Sequence, residues 1–351
     1  MNFIEYRLRK IDSFQQRHLI PGFVYGVVKK YGDDNGSTLT IQLTYTMFTT
    51  IFPLLLLLVT VLTLLLVGDP GIRKAILHST FSQFPVLGSQ LGSNIHVLKR
   101  DSVIGLVVGI LGLIYGSTGL AGAGIYVMGQ VWNIEGTLRP NYIKRIARSL
   151  VFLFTLAIGL VVTTFLSGFS TYGKHNFWLG VVSLVLSALT NVALYIVAFR
   201  ALTPKQISTT SLIPGAVFTG LLWSILQAFG GYVVGHYLKN DNATYGTFGT
   251  VLGLLAWIYI GAEITVYGTE LNVVLKRHFW PRSIIQPPLT KADQESIAFQ
   301  ATQNRRRPEQ QITTKIKGQP MTQETYLKRG GKVNKSKIGT VKSAPKKQND
   351  I

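Results

Sequence analysis

The stretch from Gly246 to Val274 reads GTFGTVLGLLAWIYIGAEITVYGTELNVV and holds only two residues charged at neutral pH, Glu263 and Glu270. About 20 apolar residues, at about 1.5 Å of rise each, cross a bilayer as a helix, so this stretch is long enough. Gly246, Gly249, Gly253, Ala256, Ile260, Glu263, Tyr267 and Glu270 follow one another at steps of three and four, which keeps them on one helix face. The first half of that face is small and the second half acidic. Such a stripe reads as the inner face of the last transmembrane helix of a bundle.

Composition supports a membrane protein. Of 351 residues, 47% are hydrophobic and only 14% charged, against about 25% charged in a soluble domain. The formal charge of +20 belongs mostly to the ends. Of 35 Lys and Arg, 17 lie from Lys276 onward and six before Thr38, so the charge is not the field of a folded nucleic-acid-binding domain. The chain has no cysteine, which excludes disulfides, iron–sulfur clusters and Cys-ligated zinc.

Residues 1–38 are polar and basic. Ile4, Leu8, Ile11 and Phe14 recur at helical spacing among Arg7, Arg9 and Lys10. This is either a helix in the headgroup region or a cytosolic helix packed on the protein. Pro21-Gly22 is expected to end it, and Lys29 to Gly36 reads as a loop. The first span covers 39–67. Its first half is rich in Thr, Gln and Tyr, and Pro53 at mid-span is expected to kink it. Gln42, Tyr45 and Thr49 share a face expected to look into the bundle.

A mixed loop with His78 and His96 follows; two scattered histidines make no metal site, and no metal or cofactor is expected. The second span, 103–128, carries Gly105, Gly109, Gly112, Gly116 and Gly119 at steps of 4, 3, 4 and 3. This smooth stripe lets another helix backbone approach, within the bundle or from a second copy of the chain. Gly119 to Gly124 is no phosphate loop, since it lacks a following Lys-Ser/Thr. The remaining spans are 149–168, 177–199, 212–234 and 246–274, with Pro214 in a first turn where proline is tolerated.

The expectation is an all-α polytopic membrane protein of six transmembrane helices in a domain over 39–280, with both termini cytoplasmic. With the N-terminus inside, the inner segments hold 6, 4, 2 and 17 Lys plus Arg, and the outer loops 4, 1 and 1, in the sense of the positive-inside rule. Residues 281–351 are polar, basic and expected to be disordered. A polybasic tail of this kind is drawn to anionic lipid headgroups; no specific nucleic-acid partner is expected.

Several motifs together resemble the YihY/BrkB family of bacterial inner-membrane proteins. They are Tyr245-Gly246-Thr247, Trp257, Tyr259 and Gly268-Thr269-Glu270-Leu271-Asn272 in the last span, and Leu43-Thr44-Tyr45 with Phe52-Pro53-Leu54 in the first. Pro204, Pro214-Gly215-Ala216 and Trp223 add to them. Thr44 and Thr269 stand where Ala is usual. The resemblance covers about residues 20–280 and implies a six-helix membrane protein with no agreed activity. A ribonuclease label attached to the family has no chemical support here, since metal-dependent RNA hydrolysis needs clustered His and Asp ligands and the six His are scattered. No enzyme activity is expected.

Carboxylates in a membrane persist where they face a polar cavity or a partner. Glu270 falls near the cytoplasmic surface and Glu263 about 10 Å deeper. Two readings follow. In a carrier or exporter, Glu263, Glu270, Tyr267 and Asn272, with Tyr45 and Gln42 from the first span, form an acidic inner-facing site, while Gly249, Gly253 and Pro53 serve helix packing. In a membrane scaffold or assembly factor, the acids pair with Arg139, Lys144, Arg145 or Arg200, Asn191 and Gln227 are further polar partners, and the basic tail does the work.

Overall fold

The computed structural model of the chain describes residues 3–65, 102–134, 177–237, 246–329 apart from 306, 308 and 319, and 338–341, with isolated helical positions between 143 and 162. It is mostly helical. Two short helices, α1 (Phe3–Arg17) and α2 (Leu19–Asp33), precede five long ones: α3 (Gly36–Leu65), α4 (Ser102–Val131), α5 (Phe177–Leu202), α6 (Ile213–Tyr237) and α7 (Gly246–Arg277). Two more, α8 (Lys291–Gln303) and α9 (Gln323–Lys328), follow, with a two-stranded antiparallel ribbon of β1 (Thr314–Lys317) and β2 (Ile338–Val341).

Among the described residues, three segments are long and apolar enough to cross a membrane by length and composition: Leu184–Leu202, Thr209–Gly230 and Val251–Arg277. The helical form follows from the solvent. In hydrocarbon each backbone N–H and C=O must be paired within its own segment. α3 and α4, 30 residues each, reach about 45 Å at 1.5 Å per residue. α3 runs unbroken through Pro53. The segment 149–168, and the loop with His78 and His96, lie outside the described residues apart from isolated helical positions.

α7 is the axis of the packing. It lies against α6, α3 and α2 and touches α4 more lightly, while α4 packs chiefly on α3 and α5 on α6. The buried core gathers around these contacts. Leu39, Leu43, Val127, Val131, Phe199, Leu212, Ala262, Val266, Val273 and Val274 belong to one cluster.

The N-terminal region differs from its sequence reading. Pro21 does not end the first helix. The break falls at His18, in extended conformation, and Pro21 sits in the first turn of α2, where its missing N–H costs nothing. Nor is Lys29 to Gly36 a loop, because α2 continues to Asp33. The turn into α3 is confined to Asp34-Asn35. Asn35 takes a positive φ of 54°, which Asn tolerates. Any Cβ on Gly36 would meet the Tyr31 ring at 2.4 Å, so glycine is needed there.

The expectation of a disordered tail also fails for residues 281–329. α8 opens with a capping box, Thr290 and Asp293 each bonding the other's backbone N–H. The segment from Phe279 to Thr290 lies on α1 and α2. Composition misled because this segment is held by polar groups rather than by apolar burial. Asp12 of α1 accepts from the backbone N–H of Ile284 and Ile285 at 3.0 and 3.2 Å. Arg9 donates to the Pro287 carbonyl and to Gln323.

Candidate functional site

Glu270 has no exposed surface, and neither does Lys30, which faces it. The Lys30 Nζ lies 3.1 Å from Glu270 Oε2, donates to the Val131 carbonyl at 3.0 Å, and pairs with Asp34 one turn along α2. An ammonium has three protons, and all three are used. Burial works against the charge on Lys30, but the carboxylates of Glu270 and Asp34 outweigh it and hold its pKa above the ordinary lysine value. One cation meets two carboxylates, and Glu270 Oε1 is left without a hydrogen bond. The sequence places Lys30 there because Gly22, Gly26, Val27, Lys30 and Tyr31 share the buried face of α2. A Cβ on Gly26 would stand 2.9 Å from the Phe279 carbonyl, so the small residue lets α2 approach the end of α7.

Asn272, two residues nearer the C-terminus and so turned to another side of α7, is also buried and paired. Its Oδ1 accepts from the Gly215 N–H at 2.6 Å and its Nδ2 donates to the Leu212 carbonyl at 3.2 Å. A side chain of α7 thereby caps the start of α6, satisfying a backbone donor that helix geometry leaves free. The two helices cross at the same place on small residues. A Cβ on Gly215 would come 1.9 Å from the Gly268 carbonyl, and one on Gly268 would come 1.9 Å from Thr219 Oγ1. Thr269 is buried and bonds back to Thr265, with its hydroxyl facing Met128 of α4 at 3.8 Å.

Tyr267 is half-buried and stacks on Tyr31, with ring centroids 4.2 Å apart and planes 9° from parallel. Tyr31 in turn bonds Thr40 of α3. Glu263 stands apart from the buried pair. It is half-exposed, within electrostatic reach of Tyr259 and Tyr267, and has no ion-pair or hydrogen-bond partner among the described residues.

The two acids of α7 therefore do not line one common site. Glu270 is locked to Lys30; of the basic partners expected for it, Arg139, Lys144 and Arg145 lie outside the described residues, and Arg200 bonds the Ile207 and Pro204 carbonyls. Asn191 and Gln227 bond each other across α5 and α6, and Asn191 also bonds Ser224. Gln42 and Tyr45 are exposed, not turned into the bundle. The inward face of α3 is offset from theirs and carries Leu39, Thr40, Leu43, Thr44, Thr50 and Ile51. The hydroxyls that suggested an interior face bond their own helix instead, Thr46 to Gln42 and Thr49 to Tyr45.

Gly119 meets nothing within 4 Å. The surroundings of Gly105, Gly109, Gly112, Gly116, Gly249 and Pro53 lie outside the described residues, and Gly253 is half-buried on α7. Sequence reading missed Lys30, Asp34, Gly215 and Thr219. The available signal was a lysine sharing a face with Gly22 and Gly26.

Beneath α7, a polar cap joins the two ends of the chain. Asp293 is buried and takes Lys29 at 2.9 Å, Arg282 at 3.0 Å and the Ser283 N–H at 3.0 Å. Burial pushes its carboxyl up, yet Lys29, the Ser283 N–H and Arg282 together bring it below the usual aspartate value. Arg282 Nη1 also stands 2.7 Å from Asp33, as an ion contact rather than an aligned hydrogen bond.

A helical membrane protein whose last long helix is pinned at its C-terminal end by a buried ion pair is the class these features define. The chain belongs to the virulence factor BrkB family, whose model matches residues 27–291 and so includes Lys30, Asp34, Glu270 and Asn272. It is 23% identical over 270 residues to a protein named as ribonuclease-like, YfkH, of Bacillus subtilis (strain 168), covering 73% of this chain and 95% of that one. It is 24% identical over 288 residues to a UPF0761 membrane protein of Psychrobacter sp. (strain PRwf-1), covering 78% of this chain and 51% of the relative. A UPF0761 membrane protein of Alcanivorax borkumensis is 24% identical over 272 residues, covering 74% and 62%. The chain thus spans about half to three-fifths of the length of these last two. No solved structure matches. The protein is a multi-pass protein of the bacterial inner membrane.

Proposed function

We propose that the chain crosses the membrane six times with both ends in the cytoplasm, and that it moves a solute or lipid past Glu263. The meeting of the two ends supports the topology. Arg282 with Asp33, Lys29 with Asp293 and Arg9 with Gln323 tie the two terminal regions together, which supports an even number of crossings. Five long helices are described, and the sequence expectation of a span at 149–168 would make six. The basic inner segments favour the cytoplasmic side.

The single observation behind the carrier reading is the isolation of Glu263. An acid within a span is costly to leave unpaired and marks a solute or proton pathway when it faces a polar cavity. Glu270 and Asn272 are spoken for by Lys30 and Gly215, so the site contracts to Glu263, Tyr259 and Tyr267. Ribonuclease action is no part of this reading; that name is said of the Bacillus relative.

The cysteine-free chain allows a direct test. A Glu263→Cys variant in vesicles should react with a charged, water-soluble thiosulfonate, and a Glu263→Gln variant should lose the cellular phenotype. Labelling by apolar maleimides alone would sink the proposal. The competing reading, a scaffold working through residues 281–351, is favoured by the interlocked cap. It predicts the reverse: full function in Glu263→Gln and none after loss of the cap.

A further inference from the structure

α1 is amphipathic with its faces reversed. The polar side chains Arg9, Asp12 and Gln15 are buried against the cap, while Ile4, Ile11 and Phe14 point outward, Ile4 with 71% of its surface free. α2 continues the pattern. Its lysine faces inward, and Ile20, Val24 and Val28, at steps of four, form an outward stripe with Ile20 74% exposed. A helix packed on a soluble protein hides its apolar face. Here the ion pairs and hydrogen bonds of the cap hold that face away from the protein.

Charge follows the same division. The acids of α1 are turned inward or paired, Glu5 with Arg9 and Asp12 with Gln15, Gln16 and the Ile284 and Ile285 N–H groups. The outward side keeps Arg7 and Lys10, while Arg17 pairs with Glu324 of α9. Arg7 sits amid the apolar face with its guanidinium 5.1 Å over the Phe3 ring, and Lys10 lies 5.3 Å over Tyr6. Cations on apolar stems within an apolar face are arranged to reach lipid phosphates while the stems stay in the acyl boundary. The location agrees. α2 is tied to the end of the last long helix by Lys30 and Glu270 and joins α3 through a two-residue turn, so its stripe leads into the exposed Ile41 and Tyr45.

We propose that the outward face of α1 and α2 lies in the inner-leaflet interface and binds anionic phospholipid headgroups through Arg7 and Lys10. This goes beyond the carrier reading and holds whether or not Glu263 serves transport.

The test uses the full chain in nanodiscs with a nitroxide on one introduced cysteine at a time, Ile11→Cys, Phe14→Cys or Val24→Cys, and Lys291→Cys as a water-exposed reference (Lys291 side chain 83% exposed). In mixed phosphatidylcholine–phosphatidylglycerol discs, the ratio of oxygen to nickel-chelate collisions should be several-fold higher at the first three positions than at 291. Omitting phosphatidylglycerol should lower it at positions 11 and 14. A Arg7→Gln/Lys10→Gln background should abolish that dependence. Free access of the chelate to all sites overturns the proposal. Exclusion of both reagents with spin–spin broadening overturns it in favour of a second copy of the chain. A high ratio indifferent to phosphatidylglycerol overturns the headgroup assignment. Each labelled chain is first required to melt as the parent does, as expected for outward positions more than half exposed.

Discussion

Lys30 carries the most electrostatic weight of any single side chain described. It lies against two buried acids, Glu270 and Asp34, and no other buried cation contacts them among the described residues. Removing one partner of a buried pair typically costs about 3–5 kcal/mol, because a charge stays behind unpaired. Lys30→Met, which leaves two buried carboxylates, should fall in that range. Glu270→Gln should cost about 1 kcal/mol or less, because Lys30 keeps Asp34 and Gln still offers an acceptor. Thermal unfolding in detergent, followed by intrinsic Trp fluorescence, would rank the two; equal losses would contradict the charge count. Asn272→Ala removes the cap on α6 and should cost about 1–2 kcal/mol.

Between helices, the α6–α7 crossing is set by atoms rather than by hydrophobicity. Gly268→Ala would drive a methyl group into Thr219, and overpacking of this kind costs about 1–3 kcal/mol. Restoring room with Gly268→Ala/Thr219→Ala should recover part of the loss, and the double-mutant melting temperature checks it. The cap obeys a different variable. The Asp293 carboxyl has a folded pKa below its unfolded value of about 3.9. Its contribution is therefore complete above about pH 4 and is lost as pH falls through the lower folded value. Hydrogen exchange at residues 282–293 should accelerate below about pH 4 while α7 stays protected. An Asp293→Asn variant should show the acceleration already at neutral pH.

At the scale of the fold, the described regions on either side of the long helices, α1–α2 and residues from Phe279 to α9, close on each other. Truncation after Arg329 keeps the described contacts among α1, α2, α8 and α9, and among the described residues removes β2, which pairs with β1 and touches α8. Truncation after Arg277 strips Lys29 and Asp33 of their acidic and basic partners and takes the Ile284 and Ile285 N–H groups from Asp12. The first should accumulate in the membrane at near the parent level and the second at a small fraction of it, measured by in-membrane abundance and protease resistance. Comparable levels would show that the cap contributes little to folding.

The apolar stretches were legible because a bilayer solvent imposes length and helix on any segment that crosses it, and local composition records both. Pro214 in a first turn was legible for the same reason, since it depends on near neighbours only. The pairing of Lys30 with Glu270, 240 residues apart, was not, because periodicity says which face a residue shares and nothing about which helix meets that face. Gln42 and Tyr45 misled in the opposite direction: hydroxyl-rich composition suggested an interior, but threonines can bond their own helix. The stretch from Gly246 to Val274 thus announced an apolar helix with two acids on one stripe. Only the packing of α2 against its end decided that one acid is buried and spent on a lysine while the other is left alone.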